Sequence, residues 1–137
     1  MILGAEEQIT VGQPEPGEEN QLLSSTAAGH EFEVMFEDDG ETGYLYALRN
    51  GDELEILDAL HIYNVEDVAD REKPVLAQIF WDVPQNTAAL VIAGYCHALY
   101  DFQRRMGFCR NAFPPAKNGQ AGSRELTDEL VEKYFAA

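Results

Sequence analysis

A chain of 137 residues, 45% hydrophobic and 10% aromatic, can bury a core of its own, which excludes wholesale disorder and makes one domain over 1–137 the simplest reading. No apolar run approaches the roughly 20 residues of a membrane span, and Met1-Ile2-Leu3-Gly4 has neither the basic start nor the long apolar stretch of a signal peptide, so a cytoplasmic protein is expected. The formal net charge of -16 argues against binding to nucleic-acid phosphates and against adsorption to an anionic membrane.

Glu7 to Val11 is β-prone and ends at Gly12, so a short first strand is expected there. Residues 13–29 carry Pro14, Pro16, Gly17 and Gly29 among acids and small polar residues. Pro and Gly break both periodicities, and the segment reads as a mobile loop anchored by Leu22-Leu23. The centre of the chain follows. Phe32, Val34 and Phe36 alternate with Glu31, Glu33 and Glu37, and Tyr44, Tyr46 and Leu48 alternate with Leu45, Ala47 and Arg49. That is the period of half-buried strands, and Asp39-Gly40 between them supplies a hairpin bend. Asn50-Gly51-Asp52 is a second turn signal, and Ile56 to Tyr63 completes a three-stranded antiparallel meander.

Asn64 to Pro74 is a charged connection. Val75, Ala77, Ile79 and Trp81 then fall on one face of a strand that Asp82-Val83-Pro84 ends. Thr87 to Ala93 is nearly continuous apolar sequence, as for a strand buried on both sides. Ala93-Gly94 or Gly94-Tyr95 turns the chain, and Cys96 to Phe102 pairs back. Gly43-Tyr44-Leu45-Tyr46-Ala47-Leu48 is echoed by Gly94-Tyr95-Cys96-His97-Ala98-Leu99, two similar hairpins or a chance match. An irregular stretch leads to Ser123, a good N-cap, and Leu126, Leu130, Val131 and Tyr134 then recur at helical spacing, so a helix is expected over 123–135. The fold class is mainly β (α+β): an antiparallel meander of about six or seven strands, sandwich-like or an open barrel, with one C-terminal helix.

Charge is unevenly spread. Residues 1–48 hold eleven acids and no Lys or Arg, whereas Phe102 to Arg124 holds Arg104, Arg105, Arg110, Lys117 and Arg124 with no acid. Two readings stand. Either the basic segment folds against the acidic half and screens it, or acid left uncovered is a docking face for a basic partner.

The densest polar cluster is Glu37-Asp38-Asp39-Gly40-Glu41. Its spacing is not that of a calcium loop, and alternation turns Asp38 away from Glu37 and Asp39, so no metal site is expected. Its acids, Glu37, Asp38, Asp39 and Glu41, are the candidate partner-binding residues. His61 and His97 lie on expected strands without CxxC, HxH or HExxH spacing. Cys96 and Cys109 are expected as thiols in a reducing compartment, with a disulfide open if the chain is exported. Arg110 beside Cys109 could activate the thiol. No phosphate-cradling loop, dinucleotide fingerprint or Gly-x-Ser-x-Gly is present, and no cofactor is expected.

The run from Phe36 to Leu48, with Ile56 to Val65, Gly94-Tyr95-x-His97-Ala98 and Cys109-Arg110-x-x-Phe113-Pro114-Pro115, resembles a family of small bacterial proteins known only as a domain of unknown function. The likeness covers Ile9 to Pro115. It implies a compact, mainly β bacterial protein and no activity, cofactor or catalytic residue. The leading expectation is therefore a non-enzymatic protein whose acidic face engages a basic protein, for example as an immunity- or antitoxin-like cap. The rival is a binder or enzyme for a small anionic ligand, built on Tyr44, Tyr46, His61, His97, Arg104, Arg105 and Arg110. A homodimer joined through strand edges is a third option.

Overall fold

The computed structural model describes residues 1–12, 20–115 and 123–135. Among the described residues, nine strands form two antiparallel sheets. In chain order they are β1 (Ile2–Ile9), β2 (Gln21–Thr26), β3 (Phe32–Asp38), β4 (Thr42–Asn50), β5 (Leu54–Asn64), β6 (Val75–Trp81), β7 (Thr87–Ile92), β8 (Tyr95–Asp101) and β9 (Met106–Cys109). A helix, α1 (Asp128–Phe135), closes the described chain. One sheet is the meander β2-β3-β4-β5, and the other is β6-β7-β8-β9 with β1 added beside β6. The mainly β class holds, as an open sandwich with two more strands than the seven at the top of the expected range.

The inward faces follow the alternation. Val34, Phe36, Leu45, Ala47 and Leu60 from the four-stranded sheet meet Ala77, Ile79, Trp81, Ala88, Leu90 and Tyr100 from the five-stranded one. Trp81 donates Nε1–H to Ser25 Oγ across the gap at 2.9 Å, so its one polar atom is satisfied in the core. The expected face of β6 and the burial of β7 on both sides are both present.

Three expectations need correcting. The first strand is Ile2–Ile9 rather than Glu7 to Val11, and pairs along the whole of β6. Of the loop expected over 13–29, residues 13–19 lie outside the described residues, but Gln21–Thr26 is a strand that pairs with β3. Only Leu23 and Ser25 of that strand point into the core, so its period-2 signal is carried by one apolar and one small polar residue. The helix begins at Asp128, not Ser123. Thr127 Oγ1 accepts the Leu130 N–H at 3.2 Å and is the cap, while residues 124–126 run extended alongside β9, with Cys109 N–H donating to Arg124 O and Leu126 N–H to Cys109 O. Leu126 is buried from that extended segment, and Leu130, Val131, Tyr134 and Phe135 of α1 cover Ala89, Leu99 and Phe108 on the outer face of the five-stranded sheet.

Candidate functional site

The β3–β4 bend is built by Asp39. Its Oδ1 accepts the N–H groups of Glu41 at 2.9 Å and Thr42 at 2.8 Å, and Gly40 takes a φ of +94°, which a Cβ would oppose. The Thr42 N–H, followed by that of Glu41, holds the Asp39 carboxyl below the usual carboxylate range, so it carries full charge near neutrality. Asp39 and Glu41 are exposed. Asp38 is not. It is completely buried, and accepts hydrogen bonds from Gly12 N–H at 2.7 Å, Gly40 N–H at 2.8 Å and the Tyr63 hydroxyl at 2.6 Å. Asp38 is thus a structural acceptor and cannot touch a partner. The reason is parity: it follows Val34 and Phe36 on the inward side of β3.

The outward side of the same sheet carries the remaining candidates. Cross-strand partners place Leu22, Glu37, Tyr44 and His61 in one row, and Ser24, Met35, Tyr46 and Ala59 in the next. The rings of Tyr44 and Tyr46 lie 6.1 Å apart at 20° to each other, the Tyr44 ring meets His61 edge-on at 5.3 Å, and His61 meets Phe113 at 6.1 Å. Glu37 is half-buried beside them, with Oε2 accepting from Asn20 and Oε1 3.5 Å from the Tyr46 hydroxyl. Burial first, and the Glu37 charge second, raise the Tyr46 phenol above its ordinary value, so it stays neutral. Among the described residues, α1 covers the outer face of the other sheet, while on this one residues 111–113 lie against His61 at the β5 edge and Tyr44, Tyr46 and Met35 are half-buried.

The ligand-binding set expected from sequence does not gather at one place. His61 is on β5 of the four-stranded sheet and His97 on β8 of the five-stranded one. Both ring nitrogens of His61 are engaged, Nδ1 with the Asn111 side-chain amide and Nε2 with Asn64 Oδ1 at 3.0 Å. An amide NH2 at Nδ1 and a carbonyl at Nε2 select the tautomer with its proton on Nε2. Arg104 and Arg105 sit in the β8–β9 turn, where Arg104 pairs with Asp101 at 3.1 Å. Arg110 lies at the other end of β9, four strand residues and about 13 Å away. Its guanidinium lies 4.4 Å over the Tyr95 ring, donates to Cys96 O and Leu126 O, and pairs with Asp128 at 2.9 Å. It therefore leaves Cys109 unactivated: burial pushes that thiol up, as it pushes Cys96 up to about 11. Both cysteines are free thiols.

The screening expected of the downstream arginines does not take the form of ion pairs to the acidic first third among the described residues. Arg104 pairs with Asp101, Arg110 with Asp128 and Arg124 with Asp58, and Arg49 pairs with Glu55. Among the described residues, none of the acids in residues 1–48 enters an ion pair. Arg71 shares a hollow of about 450 Å³ with Glu41, Thr42, Asn64 and Glu66, where it donates to Val65 O.

A family model described as an uncharacterised protein conserved in bacteria, DUF2251, matches residues 11–135. The chain belongs to this family. The expected membership holds, and the DUF2251 match runs on through α1 rather than stopping near Pro115. A protein of Haemophilus influenzae, itself described only as uncharacterised, is 35% identical over 135 residues, which cover 97% of this chain and 81% of the relative. No solved structure matches. Among the described residues of this DUF2251 chain, no group of three His, Cys, Asp or Glu side chains could hold a metal, and no helix is long and apolar enough to cross a membrane.

The other histidine makes a testable contribution to stability. Burial first, then the Arg110 charge, lowers His97 to about 4. The folded chain thus keeps His97 neutral down to about pH 4, while the unfolded chain protonates it below about 6.5. The unfolded state then binds more protons, so this group's contribution is lost as pH falls from about 6.5 to about 4, by about 3 kcal/mol in all. Urea melts at pH 7 and pH 4.5 should show a smaller acid loss for His97→Gln than for the wild type. Equal losses would exclude His97 as the cause.

Proposed function

We propose that the chain is a non-enzymatic binding protein whose uncovered four-stranded sheet face, with the acidic bend at its edge, engages a basic partner protein. The observation that carries this reading is the outward side of that sheet. It presents half-buried Tyr44, Tyr46 and Met35 and exposed Leu22 beside Glu33 and Glu37, with α1 on the other sheet and residues 111–113 reaching only His61 at the β5 edge. Aromatic and methionine side chains on an open face suit protein recognition better than solubility. The charge of -16, with the acids of residues 1–48 outside every described ion pair, favours a basic partner. An immunity- or antitoxin-like cap on a basic protein is one concrete form of such a role.

Affinity capture from the source cell at low salt tests it. Proteins retained by the wild type should be basic and should be lost when Glu33→Gln, Glu37→Gln and Asp39→Asn are combined. Equal retention by both would remove the face from the proposal. With a captured partner in hand, Asp39→Asn with Glu41→Gln should slow association by about two- to tenfold at low ionic strength, leaving dissociation little changed. A rate independent of these two charges would confine binding to the aromatic rows.

A further inference from the structure

We propose that the partner's contact is an extended, arginine-bearing segment whose guanidinium groups stack on Tyr44 and Tyr46 while hydrogen-bonding to Glu37 and Glu33; this rests on the basic-partner reading and adds to it the residue type and the conformation recognised. Three observations carry it.

The first is spacing. The two tyrosine rings are 6.1 Å apart and close to parallel, side by side on alternate positions of β4. Alternate side chains of an extended partner recur at about 6.8 Å, so two of them can address the two rings in register. A helix, whose neighbouring side chains on one face are three and four residues apart, does not match a pair of rings two residues apart as simply.

The second is the placement of the carboxylates. Glu37 is the cross-strand partner of Tyr44, and Met35 is that of Tyr46. Glu33 and Glu37 therefore flank Met35 along β3, on the same side as the rings. Each spends part of its acceptor capacity on an asparagine, Glu37 Oε2 on Asn20 at 2.8 Å and Glu33 Oε1 on Asn50 at 3.1 Å, and Glu37 Oε1 also accepts a long 3.5 Å contact from the Tyr46 hydroxyl. Those contacts fix the side chains while leaving acceptor sites on each carboxylate for an incoming donor.

The third is the chemistry already present elsewhere in the molecule. Arg110 lies over Tyr95 at 4.4 Å and pairs with Asp128 at 2.9 Å, so one guanidinium satisfies a ring and a carboxylate together. The outer sheet face offers the same two halves, tyrosine and carboxylate, without a described cation between them. Arginine suits this pairing better than lysine because its planar fork can stack on a ring and still direct N–H groups at a carboxylate, whereas an ammonium is a compact, strongly hydrated point charge.

Two synthetic octapeptides test this on the full chain, one alternating Arg and Ser and one alternating Lys and Ser, titrated at low salt with free arginine as a third ligand. The Arg peptide should bind roughly threefold or more tightly than the Lys peptide of equal charge. It should also shift the ring NMR signals of Tyr44 and Tyr46, and free arginine should bind far more weakly than either peptide. Tyr44→Leu with Tyr46→Leu should abolish the preference while leaving Lys-peptide binding nearly unchanged. Should that double variant fold poorly, the ring shifts in the wild type decide instead. Equal affinity for the two peptides, unshifted ring signals, or a preference that survives in a folded double variant would overturn the stacking proposal while leaving a basic partner in place. If neither peptide binds at low salt, the basic-partner reading falls with it. Free arginine binding as tightly as the peptide would replace a protein segment by a small guanidinium ligand, and would likewise overturn the proposal.

Discussion

Arg124→Ala is expected to lower stability by about 3–5 kcal/mol, read as a drop of roughly 10–20 °C in Tm and a matching shift of the urea midpoint. Arg124 grips Asp58 of β5 with both ends of its guanidinium, Nη1 to Oδ2 at 3.0 Å and Nη2 to Oδ1 at 2.9 Å. The side chains are only 5% and 7% exposed. Removing the cation leaves a buried carboxylate that keeps the Ala59 N–H as a donor but has lost its counter-charge. That uncompensated charge, more than the lost attraction, is the origin of the effect. The consequence should also be spatial. Arg124 heads the extended segment that pairs with β9 and leads into α1, so its loss should loosen Leu126 and expose the outer face of the five-stranded sheet to amide exchange first. Asp58→Leu combined with Arg124→Met removes both charges and fills the space, and should recover most of the loss. A loss below about 1 kcal/mol for Arg124→Ala would mean that water reaches the pair and that the segment is held by other contacts.

The same pair marks where reading along the chain stops. Asp58 stands in the apolar run Ile56-Leu57-Asp58-Ala59-Leu60, and its parity with buried Leu60 signals a carboxylate inside the sandwich. Nothing local says which cation answers it, because the partner lies 66 residues downstream. By contrast, features whose cause is local were legible: the β3–β4 bend at Asp39-Gly40, the inward face of β6, and a turn around Gly94, which of the two centres left open falls at Ala93-Gly94 with both residues at positive φ. β2 escaped notice because its inward residues are Leu23 and Ser25, and Ser25 earns its place only through Trp81, which is 56 residues away. In the candidate site, β4 alternation showed that Tyr44 and Tyr46 share a face. Whether that face is covered depends on which sheet α1 chooses, and the helical pattern of Leu130, Val131 and Tyr134 does not specify the sheet.

Asp38→Ala should be the second severe substitution, at about 3 kcal/mol or more, even though its neighbour Asp39 should tolerate change to Asn with little effect on stability. Three donors converge on the Asp38 carboxylate, the N–H groups of Gly12 and Gly40 and the hydroxyl of Tyr63, and the residue is completely buried. Truncation leaves those donors facing a void, and an unmade buried bond costs more than a made one contributes. Burial, then the bond to Asp38, pushes the Tyr63 phenol far above its ordinary range, so it remains a donor at any accessible pH. Asp38→Asn keeps the size but turns an NH2 group toward N–H and O–H donors, so it should recover only part of the loss. Tyr63→Phe removes one donor and leaves the carboxylate its two backbone partners, at about 1–2 kcal/mol. Gly12 follows β1, Gly40 lies in the β3–β4 bend and Tyr63 is on β5, so one carboxylate ties three separate stretches of chain together at one end of the sandwich. The ordering Asp38→Ala, then Asn, then Tyr63→Phe, measured by urea denaturation at pH 7, is the discriminating result. A flat series would mean the bend is held by Asp39 alone. It would also return Asp38 to the surface charge that a basic partner could reach.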